Sequence, residues 1–134
     1  MTKITETPIQ GMLIIEPGVF QDERGYFFET YRSARYAEAG INAAFIQDNE
    51  SKSVRGVVRG LHYQLNPYAQ AKLVRVVLGA VFDVAVDLRQ GSATFGKWFG
   101  IELNDKSKKQ LFIPRGFAHG FSVISETAIF SYKC

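Results

Sequence analysis

From Val54 to Tyr132 the chain is a succession of short segments rich in β-branched and aromatic residues: Val54 to Gln64, Ala71 to Leu78, Ala80 to Leu88, Phe95 to Leu103, Gln110 to Ile113, Gly120 to Ile124 and Ala128 to Tyr132. Turn residues at Asn66-Pro67, Gly79, Gln90-Gly91-Ser92 and Asn104-Asp105 separate most of them. Such segments suit the half-buried pleat of a strand. Many short strands with turns between them, and no alternating helices, argue against a parallel sheet and predict an all-β antiparallel sandwich or barrel. Within the third segment Phe82, Val84, Val86 and Leu88 share one face, and Val81, Asp83, Ala85 and Asp87 share the other. The second face carries two carboxylates, and one of them is expected to point into a cavity.

The earlier part of the chain is less regular. Met12 to Ile15 reads as a strand before the Glu16-Pro17-Gly18 turn, and Gln21 to Gly25 as a polar turn. Tyr26 to Tyr31, with Glu29 inside it, reads as another strand. Ser33 through Ala39 is the one predicted helix, with Ser33 as N-cap and Gly40 as its stop. Ile41 to Gln47 returns to strand, and Asp48-Asn49-Glu50-Ser51 reads as a turn or loop.

At 134 residues, 46% hydrophobic and 22% charged, with no repeat or linker, the chain suits one domain spanning 1–134. The single cysteine, Cys134, excludes an intrachain disulfide and a cysteine metal cluster. No apolar run is long enough to span a bilayer as a helix, and the segment from Met1 to Glu6 lacks a signal-peptide core, so no membrane association and a cytoplasmic location are expected. The net charge of +3 is small and its bases are dispersed. The cluster Lys106-Ser107-Lys108-Lys109 reads as a solvated loop, and no stripe of basic and aromatic residues marks a nucleic-acid binder.

One stretch needs a special reason. Arg59-Gly60-Leu61-His62-Tyr63-Gln64 places an arginine and one of only two histidines in strand-like sequence, with Lys72 ten residues beyond the histidine. Polar groups of this kind are costly to order beside a core unless something uses them. Arg59 and His62 are an odd number of residues apart and face opposite sides of a regular strand. A bulge at Gly60 would turn both toward one site. His62 alone reads most simply as a satisfied core histidine, and two histidines in all are too few for a typical zinc or iron site, so no metal is expected. In Ile113-Pro114-Arg115-Gly116-Phe117-Ala118-His119-Gly120-Phe121, proline and two glycines predict a turn that presents His119 between strands as part of a binding loop.

Four motifs in order resemble the signature of the dTDP-4-dehydrorhamnose 3,5-epimerases: Arg59 to Gln64, Lys72 to Val76, Val81 to Arg89, and Pro114 to Phe121. Asp22 to Gly25 and Gln47-Asp48-Asn49 fit the same family, so the similarity covers essentially the whole chain. The resemblance implies a cupin-type jelly roll that needs no metal or other cofactor. It also implies a dTDP-linked 4-keto-6-deoxy sugar as substrate and usually a homodimer. It makes His62 the general base, Tyr132 the general acid, and Lys72 the residue beside the C4 carbonyl. Arg24, Glu29, Gln47, Asp48, Asn49, Arg59 and His119 match binding positions, with Arg24 and Glu29 expected to reach across the dimer. Members of the family continue beyond the position of Cys134 with a segment carrying the aspartate that orients the catalytic histidine. Within this chain Asp83, or else Asp87, is therefore the expected partner of His62.

The chemistry suits these residue types. Protons beside a ketone leave only if the enolate oxygen meets a donor or cation, which Lys72 supplies. A neutral histidine is a competent base near neutral pH, and a tyrosine is protonated and able to return a proton from the other side. Arginine pairs bidentately with phosphate oxygens, as Arg24 and Arg59 would with a diphosphate. Three functions are consistent with this set: epimerisation at C3 and C5 in dTDP-rhamnose biosynthesis, epimerisation at a single centre of a related nucleotide sugar, and sugar-nucleotide binding without catalysis.

Overall fold

The strands expected between Val54 and Tyr132 are present, and every neighbouring pair is antiparallel. The computed structural model describes residues 1–134. In chain order its elements are β1 (Lys3–Glu6), β2 (Leu13–Glu16), β3 (Val19–Asp22), β4 (Gly25–Phe28), α1 (Ser33–Glu38), β5 (Asp48–Val54) and β6 (Val58–His62), followed by β7 (Lys72–Leu78), β8 (Ala80–Asp87), β9 (Trp98–Asn104), β10 (Gln110–Ile113), β11 (Phe117–Val123) and β12 (Thr127–Lys133). A six-stranded sheet in the order β1-β2-β10-β7-β12-β5 faces a four-stranded sheet in the order β6-β11-β8-β9, and β3-β4 forms a separate hairpin. The result is a jelly-roll sandwich of the cupin type with one short helix.

Alternation explains why the sheets close on each other. Val74 and Val76 of β7, and Ala128 and Phe130 of β12, meet Val81 and Ala85 of β8 and Phe117, Phe121 and Val123 of β11 in one apolar cluster. Period-two spacing puts these side chains on the inner faces, as the pattern along 80–88 predicts. A second cluster, on the outer face of the large sheet, joins Ile15, Leu73 and Phe112 to Tyr36 of α1 and Ile41. Tyr36 is 2% exposed, and its hydroxyl donates to Gln110 Oε1 at 2.7 Å, with the Thr30 carbonyl a second acceptor in reach at 3.0 Å. Burial, and next the Glu29 charge, push its phenol up to about 12, so it remains a donor.

Several boundaries differ from the sequence expectation for identifiable reasons. Asp48 to Ser51 is strand, paired with β12 from Asp48↔Lys133 to Val54↔Thr127. It is the edge strand of its sheet, where charged residues are favoured over β-branched ones, so its composition disguised it. Ile41 to Gln47 is not strand: Ile41 and Phe45 are spent packing on the second cluster instead of pairing. The segment Val54 to Gln64 breaks at Arg55-Gly56, where the chain crosses between sheets. In α1 the N-cap is Arg32, not Ser33, and no side chain caps the helix, while Gly40 at φ +91° ends it as expected. The aromatic run at 26–31 gives only the short β4, and Phe20 and Phe27 of the hairpin are 70% and 72% exposed.

The bulge expected at Gly60 exists. On β11 the pairs His119↔His62 and Phe121↔Arg59 are two residues apart, whereas on β6 they are three apart. Gly60 has φ +108°, and a Cβ there would lie 2.6 Å from the His119 carbonyl oxygen and 2.7 Å from Gly120 Cα. Only glycine fits that approach of backbone to backbone.

Two outcomes follow from this packing. Tyr36→Phe strands Gln110 Oε1 in a buried site and should lower stability by about 1–3 kcal/mol; urea unfolding should show an earlier midpoint with an unchanged slope. Gly60→Ala combines a left-handed φ with a backbone collision and should cost more than about 1 kcal/mol, read as a lowered thermal midpoint. An unchanged midpoint in either variant would contradict the contact that motivates it.

Candidate active site

The inner stripes turn polar toward one end of the sandwich. Lys72 continues the Val74–Val76 stripe of β7, Tyr132 continues Ala128–Phe130 on β12, and His119 lies between Phe117 and Phe121 on β11. With the bulge bringing Arg59 and His62 to the same side, these five residues line one cavity of about 490 Å³. A second cavity of about 370 Å³ shares His62, Lys72 and Tyr132 and adds Tyr63, Gln64 and Gln70. His62 and Arg59 come from the four-stranded sheet, Lys72 and Tyr132 from the six-stranded one.

Arg59, Lys72 and His119 each have a definite support, whereas His62 is exposed on β6. Arg59 Nε donates to Ser53 Oγ at 2.9 Å, linking the edge strands β6 and β5 across the gap between sheets. Lys72 is half-buried with Nζ 5.5 Å from the centroid of the Tyr132 ring. Burial lowers its pKa below the ordinary lysine value, and the neighbouring Cys134 and Asp83 oppose that shift. The His119 ring stacks on Phe130 at 6.0 Å and 23°, and its Nε2 donates to Asp83 Oδ1 at 2.8 Å. Burial pushes the Asp83 carboxyl up, while His119 and Lys72 pull it back.

The expected partner of His62 is therefore corrected. Asp83 holds His119, and Asp87 is taken up by Arg89, Ser92 and Thr94 in the turn that follows β8. Both carboxylates are on the buried face, as alternation requires, but β11 lies between β8 and β6 in the sheet. The histidine on β11 is met first. A second correction concerns His119 itself, which sits inside a strand paired with both His62 and Ala85, while the turn is confined to Pro114-Arg115-Gly116.

Other expected binding residues stand apart from the cavity. Asp48 points to the outer face of the large sheet, where it pairs with Lys133 at 2.8 Å. Gln47 Nε2 donates to Asn49 Oδ1 at 3.1 Å, and Asn49 lies against Cys134. Arg24 is paired with Asp22 at the exposed hairpin tip, and Glu29 with Arg32 and Arg35 beside α1. Ser51, Ser53, Phe121 and Phe130 were not anticipated: Ser51, Phe121 and Phe130 line the cavity, and Ser53 anchors Arg59. A signal for the serines exists in the alternation of Asn49, Ser51 and Ser53 against Asp48, Glu50 and Lys52, once 48–54 is read as strand.

Comparison with known proteins bears on the chain as a whole. The family model for dTDP-4-dehydrorhamnose 3,5-epimerase matches residues 6–134. The dTDP-4-dehydrorhamnose 3,5-epimerase of Shigella flexneri is 58% identical over 131 residues, covering 97% of this chain and 72% of that protein. The crystal structure of dTDP-6-deoxy-D-glucose-3,5-epimerase from Legionella pneumophila Philadelphia 1, in complex with dTDP-4-keto-L-rhamnose, superposes with a TM-score of 0.96 at 52% identity, covering 100% of this chain and 71% of that one. A dTDP-4-dehydrorhamnose 3-epimerase of Streptomyces niveus is 47% identical over 125 residues, covering 92% of this chain and 60% of that protein. An epimerase-like cleft between two sheets and a match over nearly the whole chain lead to one statement: this chain belongs to the dTDP-4-dehydrorhamnose 3,5-epimerase family.

Proposed function

We propose that this chain is an isomerase that epimerises C3 and C5 of dTDP-4-dehydro-6-deoxy-D-glucose, giving dTDP-4-dehydro-L-rhamnose for dTDP-rhamnose biosynthesis. The observation that carries this reading is the division of His62 and Tyr132 between facing sheets, with Lys72 in the same cavity. Inversion needs a proton removed from one side of the sugar ring and another returned from the opposite side. A base on one wall and an acid on the other meet that requirement.

In this scheme His62 takes the proton next to the 4-keto group, and the electron pair moves to the carbonyl oxygen. The Lys72 ammonium stabilises that enolate. Tyr132 then delivers a proton to the other face of the same carbon, and the cycle repeats at the second centre. Arg59, held by Ser53, offers its remaining guanidinium N–H groups to a phosphate. Arg24 and Glu29 enter the site from the second subunit of a homodimer. The exposed hairpin with its unpacked Phe20 and Phe27 supports that part, because such a surface is suited to packing against another chain. We place the reaction in the cytoplasm.

Epimerisation at one centre is the second reading, favoured by the similarity to the Streptomyces niveus 3-epimerase. Deuterium incorporation from deuterium oxide, followed by NMR on the 4-keto sugar nucleotide, separates the two. Exchange at C3 and C5 is expected; exchange at one of them supports the second reading. Binding with no exchange at either centre overturns both. His62→Ala should abolish exchange at both centres, whereas Tyr132→Phe should impair inversion more than proton removal, and equal losses would contradict the assigned roles. Lys72→Met should reduce kcat by roughly a hundred- to a thousand-fold, the loss of about 3–4 kcal/mol typical of an oxyanion donor.

A further inference from the structure

The hairpin β3-β4 has little holding it to the sandwich. Its strands pair only with each other, the hydrogen bonds of residues 19–28 stay within the hairpin, and none of these residues joins either apolar cluster. Alternation gives it two faces. Phe20 and Phe27, directly paired across the ladder, lie on one, and Tyr26 and Phe28, with rings 5.9 Å apart, lie on the other. Lys108, from the connection between β9 and β10, meets the second face: its Nζ stands 3.8 Å from the centroid of the Tyr26 ring and 5.9 Å from that of Phe28. The run Lys106-Ser107-Lys108-Lys109, expected as a solvated loop, is exposed at Lys106 and Ser107, whereas Lys108 is half-buried.

The backbone at Lys108 is not one that favours lysine. Its φ of +57° makes it the one residue other than glycine in the left-handed region, where glycine or asparagine is the easier occupant. A long side chain held there points to a use for that side chain. The ammonium is aimed by donation to the Asp105 carbonyl. Asp105 in turn exchanges two hydrogen bonds with Gly79 in the β7–β8 turn: its N–H donates to the Gly79 carbonyl at 3.0 Å, and its Oδ2 accepts from the Gly79 N–H at 2.8 Å. The cation thus stands on a base fixed to the sandwich. A cation over an aromatic face is attracted to it, more strongly as both lose water. We propose that Lys108 is a positioning residue for nucleotide binding: its ammonium clamps the Tyr26–Phe28 face, so that the Phe20–Phe27 face and the Arg24 tip are presented to the cleft of the second protomer. The nucleotide and the second protomer come from the homodimeric epimerase reading; the clamp itself does not.

Lys108→Met removes the charge at similar reach, Lys108→Arg keeps a cation for the ring, and Lys108→Gly removes the side chain while suiting the left-handed backbone, which guards against a folding defect. Lys108→Met and Lys108→Gly should raise the Kd for dTDP, measured by calorimetry, and the KM for the 4-keto sugar nucleotide by about three- to tenfold, with kcat within about twofold of the wild type. Lys108→Arg should restore both constants. An unchanged Kd, or a fall in kcat at unchanged KM, would overturn the proposal. Co-expression of Lys108→Met with His62→Ala under different tags tests the direction of the effect. The mixed dimer should regain the wild-type KM, because its one site with His62 receives the hairpin of the chain whose Lys108 is intact. A KM as high as that of Lys108→Met alone would place the effect within one chain and refute the proposal. Trypsin cleavage after Arg24, followed by mass spectrometry, reads the clamp without substrate: it should be faster in Lys108→Met than in the wild type, and equal rates would sink the idea. Absence of deuterium exchange in the wild type refutes the epimerase reading alone, because dTDP binding and cleavage need no turnover.

Discussion

Phe121 of the four-stranded sheet and Phe130 of the six-stranded sheet stack with centroids 4.1 Å apart at 20°, and the cleft is built on that contact. Such a pair contributes roughly 0.5–1.5 kcal/mol beyond the area it buries. Its larger effect is to fix the spacing and alignment of the two sheets where their inner faces change from apolar to polar. His119 stacks on the same Phe130 ring, and Tyr132 follows two residues later on the same face. The position of the wall that carries His62 relative to the wall that carries Tyr132 is thus set by an aromatic stack between the sheets.

Much of this was legible one strand at a time. The alternation from Val81 to Asp87 identified the inner face, and the odd spacing of Arg59 and His62 around a glycine let both face one site only through a bulge, which the register shows. What could not be read were properties that belong to pairs of strands. Asp83 was the expected partner of His62 as a carboxylate on the inner face of its strand, but the order β6-β11-β8 puts His119 between them. Asp48 to Ser51 looked like a loop because an edge strand selects charged and small polar residues. With that strand unrecognised, Ser53 and its hold on Arg59 were invisible as well.

The same limits separate the binding positions into two groups. Arg59, His62, Lys72, His119 and Tyr132 converge within one chain because each sits on an inner face or at the bulge. Arg24 and Glu29 sit on a hairpin and a loop whose ion pairs are local, to Asp22 and to Arg32 and Arg35. Local pairs of exposed charges are weak, commonly below about 1 kcal/mol. They can be exchanged for contacts with a phosphate or a second chain at little cost. The fold therefore sets the cavity-lining groups on paired strands and leaves the outlying charged groups free to re-pair.

Hydrogen-bond saturation separates the two buried carboxylates of β8. Asp87, saturated by hydrogen bonds and beside the Arg89 guanidinium, is held well below the usual carboxylate range and closes a turn. Asp83, with one oxygen unbonded and burial pushing it the other way, is the less stable arrangement of the two.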